Sequence, residues 1–239
     1  MKSTKGERLL RIAVGRYPFT PSTYPGRRPP FSFLLTGNGI LRLKVRTLDQ
    51  VLTNRGLARA SERYAVLAYG SNACPEQLAE KGLSDVPVIF GRMVGAEAVY
   101  ANRVTQKGYV PATLARKNGS RPSWVTLLTR EQLQIMDETE GRGNNAYVLA
   151  ELPKVQFFVG QKRFTPLYTY VNIRGVMMVK GKPLSLRSIG QKGARALHQQ
   201  SLEKDATTVL DFKVIDFPFL PTEYSQLISH SRRKADSRR

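Results

Sequence analysis

The chain has 239 residues with 41% hydrophobic content, enough for one sizeable domain with an appendage or at most two small domains. One cysteine, Cys74, excludes an internal disulfide, and with only two histidines, His198 and His230, little material remains for a metal centre; the expectation is a chemistry without cofactor, run on carboxylates, hydroxyls or backbone groups. The formal charge of +20 is concentrated at the ends: residues 1–60 hold twelve Lys and Arg against Glu7 and Asp49, and residues 231–239 hold five against Asp236, so the middle region is nearly ordinary.

No apolar run approaches the roughly 20 residues of a membrane span. The amino terminus, with Lys2, Lys5 and Arg8, lacks an apolar stretch followed by a small-residue cleavage site, so the expectation is a soluble, cytoplasmic protein. The expected division is a basic N-terminal extension over 1–60, a catalytic domain over 61–228 and a basic tail over 229–239.

Along the chain, prolines at 18, 21, 25, 29 and 30 predict an extended arm. Phe31, Phe33 and Leu35, the Gly37-Asn38-Gly39 turn, then Leu41, Leu43 and Val45 predict a hairpin whose return strand carries Arg42, Lys44 and Arg46 on the face opposite the leucines. Residues 66–69 read as a strand leading into Gly70-Ser71-Asn72, after which Pro75 opens a helix that Gly82 closes. Further strands are expected over 88–91 and 94–100, and a second hairpin over 109–128 with Asn118-Gly119 near its tip. Thr129 and Gln132 form a capping box for a helix from Arg130 to about Thr139, with Gly141 ending it. Residues 147–152, 155–159 and 166–173 read as strands, and 184–203 as a helix containing His198. The assembly expected is α+β, a mixed, mostly antiparallel, barrel-like sheet with short helices.

Two features carry chemistry. In the turn at 69–72, consecutive backbone N–H groups beside a helix start make an anion-binding concavity, and Gly70 permits positive φ and close approach of a ligand. Glu140 falls on the helix face of Leu133 and Met136, so its carboxylate points inward, where burial disfavours the charged form, as a general acid/base near neutrality requires. Asp137 lies close to the same stripe and competes for the role. Cys74, beside a helix start, is a rival nucleophile.

Taken together, an apolar strand followed by Tyr69-Gly70-Ser71-Asn72, a helix, the Val110 to Leu114 strand, and then Leu133, Met136, Asp137 and Glu140-Gly141, with a tyrosine seven residues after the glutamate, resembles the gamma-glutamylcyclotransferase superfamily. The resemblance covers about residues 63–175 and departs from the pattern at Ala73, where leucine is usual. It implies that Glu140 is catalytic, that Tyr69, Gly70, Ser71 and Asn72 line the pocket, and that Tyr147 and a later strand tyrosine, Tyr170 or else Tyr168, complete it. The implied reaction is intramolecular aminolysis of a small gamma-glutamyl compound, releasing 5-oxoproline and a free amine. The rival reading is a nucleic-acid or anionic-surface binding protein on the same scaffold, using Arg27, Arg28, the 42/44/46 face and the tail, with Tyr17, Phe19 and Tyr24 for stacking.

Overall fold

A computed structural model describes residues 10–140, 147–200, 202–205 and 209–215. The segments predicted at residues 1–9, the helix stop at Gly141, His230 and the basic tail lie outside the described residues.

The strands are β1 (Arg11–Ile12), β2 (Phe33–Thr36), β3 (Gly39–Arg42), β4 (Tyr64–Leu67), β5 (Val86–Tyr100), β6 (Ala112–Leu128), β7 (Tyr147–Glu151), β8 (Gln156–Val159), β9 (Lys162–Phe164), β10 (Tyr168–Asn172), β11 (Val176–Val179), β12 (Lys182–Pro183), β13 (Leu202–Lys204) and β14 (Lys213–Val214). The helices are α1 (Leu48–Thr53), α2 (Pro75–Glu80), α3 (Arg130–Glu140) and α4 (Gln191–His198). Eleven strands form one sheet along the path β1-β3-β2-β5-β6-β4-β10-β7-β14, with β8 branching from β5 and carrying β9. Of its pairings among the described residues only β4 with β10 is parallel. The fold is α+β with a mostly antiparallel sheet, but the path runs from β1 to β14 without closing, so the expected barrel is an open sheet among the described residues. A second sheet, β12-β11-β13, was not foreseen.

The 37–39 turn forms its hairpin, β2 pairing β3 from Phe33↔Arg42 to Thr36↔Gly39; Arg42, Lys44 and Arg46 are exposed, but the return strand ends at Arg42 and Val45–Thr47 is a 3-10 turn, so the three cations do not share the expected strand face. The alternation read into β2 is only half the story. Phe33 and Leu35 enter one core cluster with Val88, Leu128, Leu133 and Met136, while Leu34 enters a second with Leu41, Leu67 and Ile89. A strand covered on both faces reads as a continuous apolar run.

The largest departure is the ribbon of β5 and β6. The sequence suggested two strands over 88–100 and a hairpin turning at Asn118-Gly119; instead each is one long strand, and they pair with each other from Val88↔Thr126 to Tyr100↔Ala112. Val94 faces Ser120 and the next residue, Gly95, faces Lys117, so Asn118 and Gly119 form a bulge inside β6. Gly119 has φ +92, the left-handed conformation that made the dipeptide look like a turn.

Two other readings are corrected. The predicted helix over 184–203 shrinks to α4, because residues 184–186 spend their backbone bonds elsewhere: the Leu184 N–H donates to Met177 O and the Leu186 N–H to Ala98 O. The arm is not simply extended. It forms short 3-10 turns at Val14–Arg16 and Pro21–Thr23 and buries Phe19 and Tyr24 in the core, which removes both rings from any stacking surface.

Candidate active site

β4 pairs with β6 from Tyr64↔Leu128 to Leu67↔Val125, and the Ala68 N–H still donates to Trp124 O. Past that point the chain leaves the sheet, makes a 3-10 turn at Ser71–Ala73 and enters α2 with Pro75 in its first turn, where a missing N–H costs nothing. A helical start leaves its first amides without intrahelical partners. Gly82, at φ +77, follows α2, as the sequence suggested. On the other side, the Thr129 hydroxyl accepts from the Gln132 N–H at 3.3 Å and the Gln132 side chain accepts from the Thr129 N–H at 3.0 Å, the expected capping box at the start of α3. α3 then docks Leu133 and Met136 in the core.

These elements bring Glu140 to a cleft of about 340 Å³, whose walls include Tyr24, Ser71, Lys81, Arg103, Tyr109 and Tyr147. A small recess of about 30 Å³ shares Tyr24, Ser71, Glu140 and Tyr147 with it and adds Tyr69, Gly70, Asn72 and Tyr170. All seven residues singled out for the site therefore line one cleft or its recess. Tyr170 is buried, whereas Tyr168 is half-buried and packs edge-on against Tyr64, outside both linings.

Glu140 does not sit among apolar side chains as expected. It is ion-paired with Lys81, the side chains being 18% and 9% exposed, and Lys81 Nζ also lies 3.5 Å from Met136 Sδ. Asp137 is the buried carboxylate of the helix, at 2% exposure, and lines neither space.

The opposite wall is aromatic. Tyr24 and Tyr109 stack with centroids 4.7 Å apart, and Phe19 meets each of them edge-on. The Tyr24 hydroxyl accepts from the Ala112 N–H at 2.8 Å, and the Tyr147 hydroxyl donates to Ala112 O at 2.6 Å. The Tyr69 hydroxyl donates to Tyr170 O. Burial pushes the phenols of Tyr24, Tyr69 and Tyr147 well above their usual value, with Tyr147, Tyr24 and Tyr69 respectively adding to the effect, so all three stay neutral at physiological pH.

Gly70 has φ −100 rather than a positive value, and its missing side chain is used by the protein itself: a Cβ there would stand 2.8 Å from the Tyr24 hydroxyl. Cys74 is fully buried, its thiol 3.2 Å from Tyr17 O, and burial pushes it up from its usual value, the opposite of an activated nucleophile. His198 ends α4 and lines none of these walls.

The sequence reading missed Tyr24, Lys81, Arg103 and Tyr109. Lys81 was within reach, at the C-terminal end of the helix that Pro75 starts; Arg103 and Tyr109 belong to the connection between β5 and β6, which the misplaced hairpin hid. Among the described residues, Arg103 Nη1 and Asn72 Oδ1 are buried without a hydrogen-bond partner.

Solved structures with a similar chain trace include a gamma-glutamyl cyclotransferase, 16% identical with a TM-score of 0.39, covering 71% of this chain and 99% of that chain. Others are an uncharacterized protein from Homo sapiens (18%, TM-score 0.39, 70% and 99%) and YkqA from Bacillus subtilis (14%, TM-score 0.38, 84% and 68%). No family model and no curated protein matches the chain. Among the described residues no helix is long and apolar enough to cross a membrane.

Proposed function

We propose that the protein is a gamma-glutamylcyclotransferase-type enzyme that releases 5-oxoproline and a free amine from a small gamma-glutamyl compound. The observation that carries this reading is that Glu140 lines both the cleft, together with Ser71 and Arg103, and the recess walled by Gly70, Ser71 and Asn72.

The reaction needs no nucleophile from the protein. The substrate's α-ammonium gives a proton to Glu140, and the freed amine attacks the γ-carbonyl carbon, forming a C–N bond and placing the electron pair on oxygen. The resulting oxyanion is held by the backbone N–H groups of the 70–72 turn, where one good donor is worth on the order of 3 kcal/mol. Collapse breaks the bond to the departing nitrogen, which takes the proton held by Glu140; the ring nitrogen then gives its remaining extra proton to the same carboxylate, which passes it to the released amine, leaving neutral 5-oxoproline lactam and an ammonium product. Lys81, now paired with Glu140, yields its place to the substrate ammonium. Arg103 receives the substrate α-carboxylate, which satisfies its buried Nη1 donor. The neutral phenols of Tyr24, Tyr109 and Tyr147 close the other wall and fold the substrate towards attack geometry.

The test is incubation of the purified protein with gamma-glutamyl amino acids, gamma-glutamyl amines and glutathione, with 5-oxoproline followed by mass spectrometry. Formation of 5-oxoproline from at least one of them is expected, and its absence with all three classes overturns the reading.

A further inference from the structure

A separate cavity of about 70 Å³ is lined by Arg28, Arg121 and Arg187 together with Glu97, and of the residues around the cleft and its recess it touches only Tyr69. Its charges do not balance. Glu97 lies 3.7 Å from Arg121 Nε and also accepts from the Ser185 hydroxyl at 3.1 Å, so the single carboxylate is occupied. Among the described residues neither Arg28 nor Arg187 has an ion pair.

Arg28 is anchored at the back of this space. Its Nη1 donates to Tyr69 O at 2.9 Å and its guanidinium lies 4.6 Å above the Trp124 ring, which leaves most of its five N–H donors without a protein acceptor. Arg187, exposed, reaches only Pro122 O, at 3.4 Å. Burial lowers the Arg28 pKa; Tyr24 acts against that shift and the charge of Arg187 adds to it. A half-buried cation facing a second cation is an unfavourable arrangement that an anion between them would relieve.

From the two uncompensated guanidinium groups and the size of the space, we propose that this cavity binds a small tetrahedral oxyanion, phosphate best of all. A water-sized group takes up roughly 10–15 Å³ of such space, so there is room for about five heavy atoms, the number in a phosphate ion. Planar guanidinium forks match phosphate oxygens pairwise, and two free positive charges match a dianion. A phosphate held there would fix Arg28 and, through it, the carbonyl of Tyr69 at the head of the 70–72 turn.

The experiment is calorimetric titration of the full-length protein with inorganic phosphate, sulfate and acetate, which needs no turnover and so stands apart from the cyclotransferase reading. Saturable one-to-one phosphate binding tighter than about 1 mM is expected. Sulfate should bind comparably and acetate at least tenfold more weakly. Arg187→Glu, at an exposed position, should weaken phosphate binding about tenfold or more, by supplying the anion from within. Arg46→Glu makes the same charge change elsewhere on the surface, and Arg103→Gln removes the cation of the cleft; both should leave phosphate binding intact. No saturable binding by the wild type, equal binding by Arg187→Glu, loss in Arg46→Glu or Arg103→Gln, or acetate binding as well as phosphate would each overturn the proposal.

Discussion

The two walls of the cleft differ in chemistry and in how the chain supplies them. One is charged: Lys81 and Glu140 pair across it from the ends of α2 and α3, elements whose starts are written locally in Pro75 and in the Thr129 capping box. The other is aromatic and assembled from remote segments, Tyr24 from the arm, Tyr109 from the β5–β6 connection and Tyr147 from β7. The difference teaches how the proposed reaction divides its work. The aromatic wall is held neutral by burial and offers shape and fixed hydrogen bonds, so in that reaction proton transfer falls to the charged wall.

The largest effect that would break this division is expected at Glu140. Glu140→Gln keeps the shape but removes the proton acceptor, and turnover should fall about 100-fold to 10,000-fold. It also strips a nearly buried Lys81 of its countercharge, so some loss of stability is expected, contrary to a simple inward carboxylate. Adding Lys81→Gln should restore the melting temperature without restoring turnover. Near-normal turnover in Glu140→Gln would overturn the assignment of the proton acceptor to Glu140.

Next comes the seam between the walls. Gly70→Ala places a Cβ 2.8 Å from the Tyr24 hydroxyl and should cost about 1–3 kcal/mol in urea unfolding. Tyr24→Phe leaves the buried Ala112 N–H without its acceptor, also at a cost of about 1–3 kcal/mol. Because the second change removes the oxygen that the first collides with, the double variant should cost less than the sum; strict additivity would show that the two groups do not meet.

Titration sharpens the contrast at smaller amplitude. A phenol whose pKa is raised by folding binds its proton more tightly in the native state. Its contribution to stability is therefore complete below the ordinary tyrosine value of 10.0 and is lost as pH rises beyond it. Tyrosinate absorbance should accordingly appear in two stages, with the phenols of Tyr24, Tyr69 and Tyr147 ionising only as the chain unfolds. The smallest expected effect is at Cys74, whose thiol should resist disulfide reagents in the native protein and react fully in denaturant.

What was legible in the sequence was local. The 37–39 turn, the Thr129–Gln132 box, the Pro75 helix start and the strands β7 and β10 all depend on neighbours within a few residues, and each is where the pattern put it. What was not legible depends on distant partners. Asn118-Gly119 satisfies the conformational demand of a turn and of a bulge equally, and only β5, paired along its whole length, decides between them. The burial of Tyr24 could not be read either, since proline spacing says nothing of where an arm lies down. The helix periodicity placed Glu140 near the apolar stripe but carried no information about Lys81, which arrives from another element.

The bulge in β6 has a bearing on which length variants of this chain nature could try. It leaves two residues, Asn118 and Gly119, without opposite numbers, and side chains on a strand alternate with a period of two. Losing both would shorten the ribbon yet leave every residue from Ala112 to Lys117 on its present side. Losing one would leave a single extra residue, the ordinary form of a bulge, in which two residues share one opposite position and the flanking pairs keep their sides. Loss of one or both residues here should therefore be absorbed at the bulge itself, leaving the paired stretches on either side as they are, so the middle of the ribbon is a point where drift in length costs little.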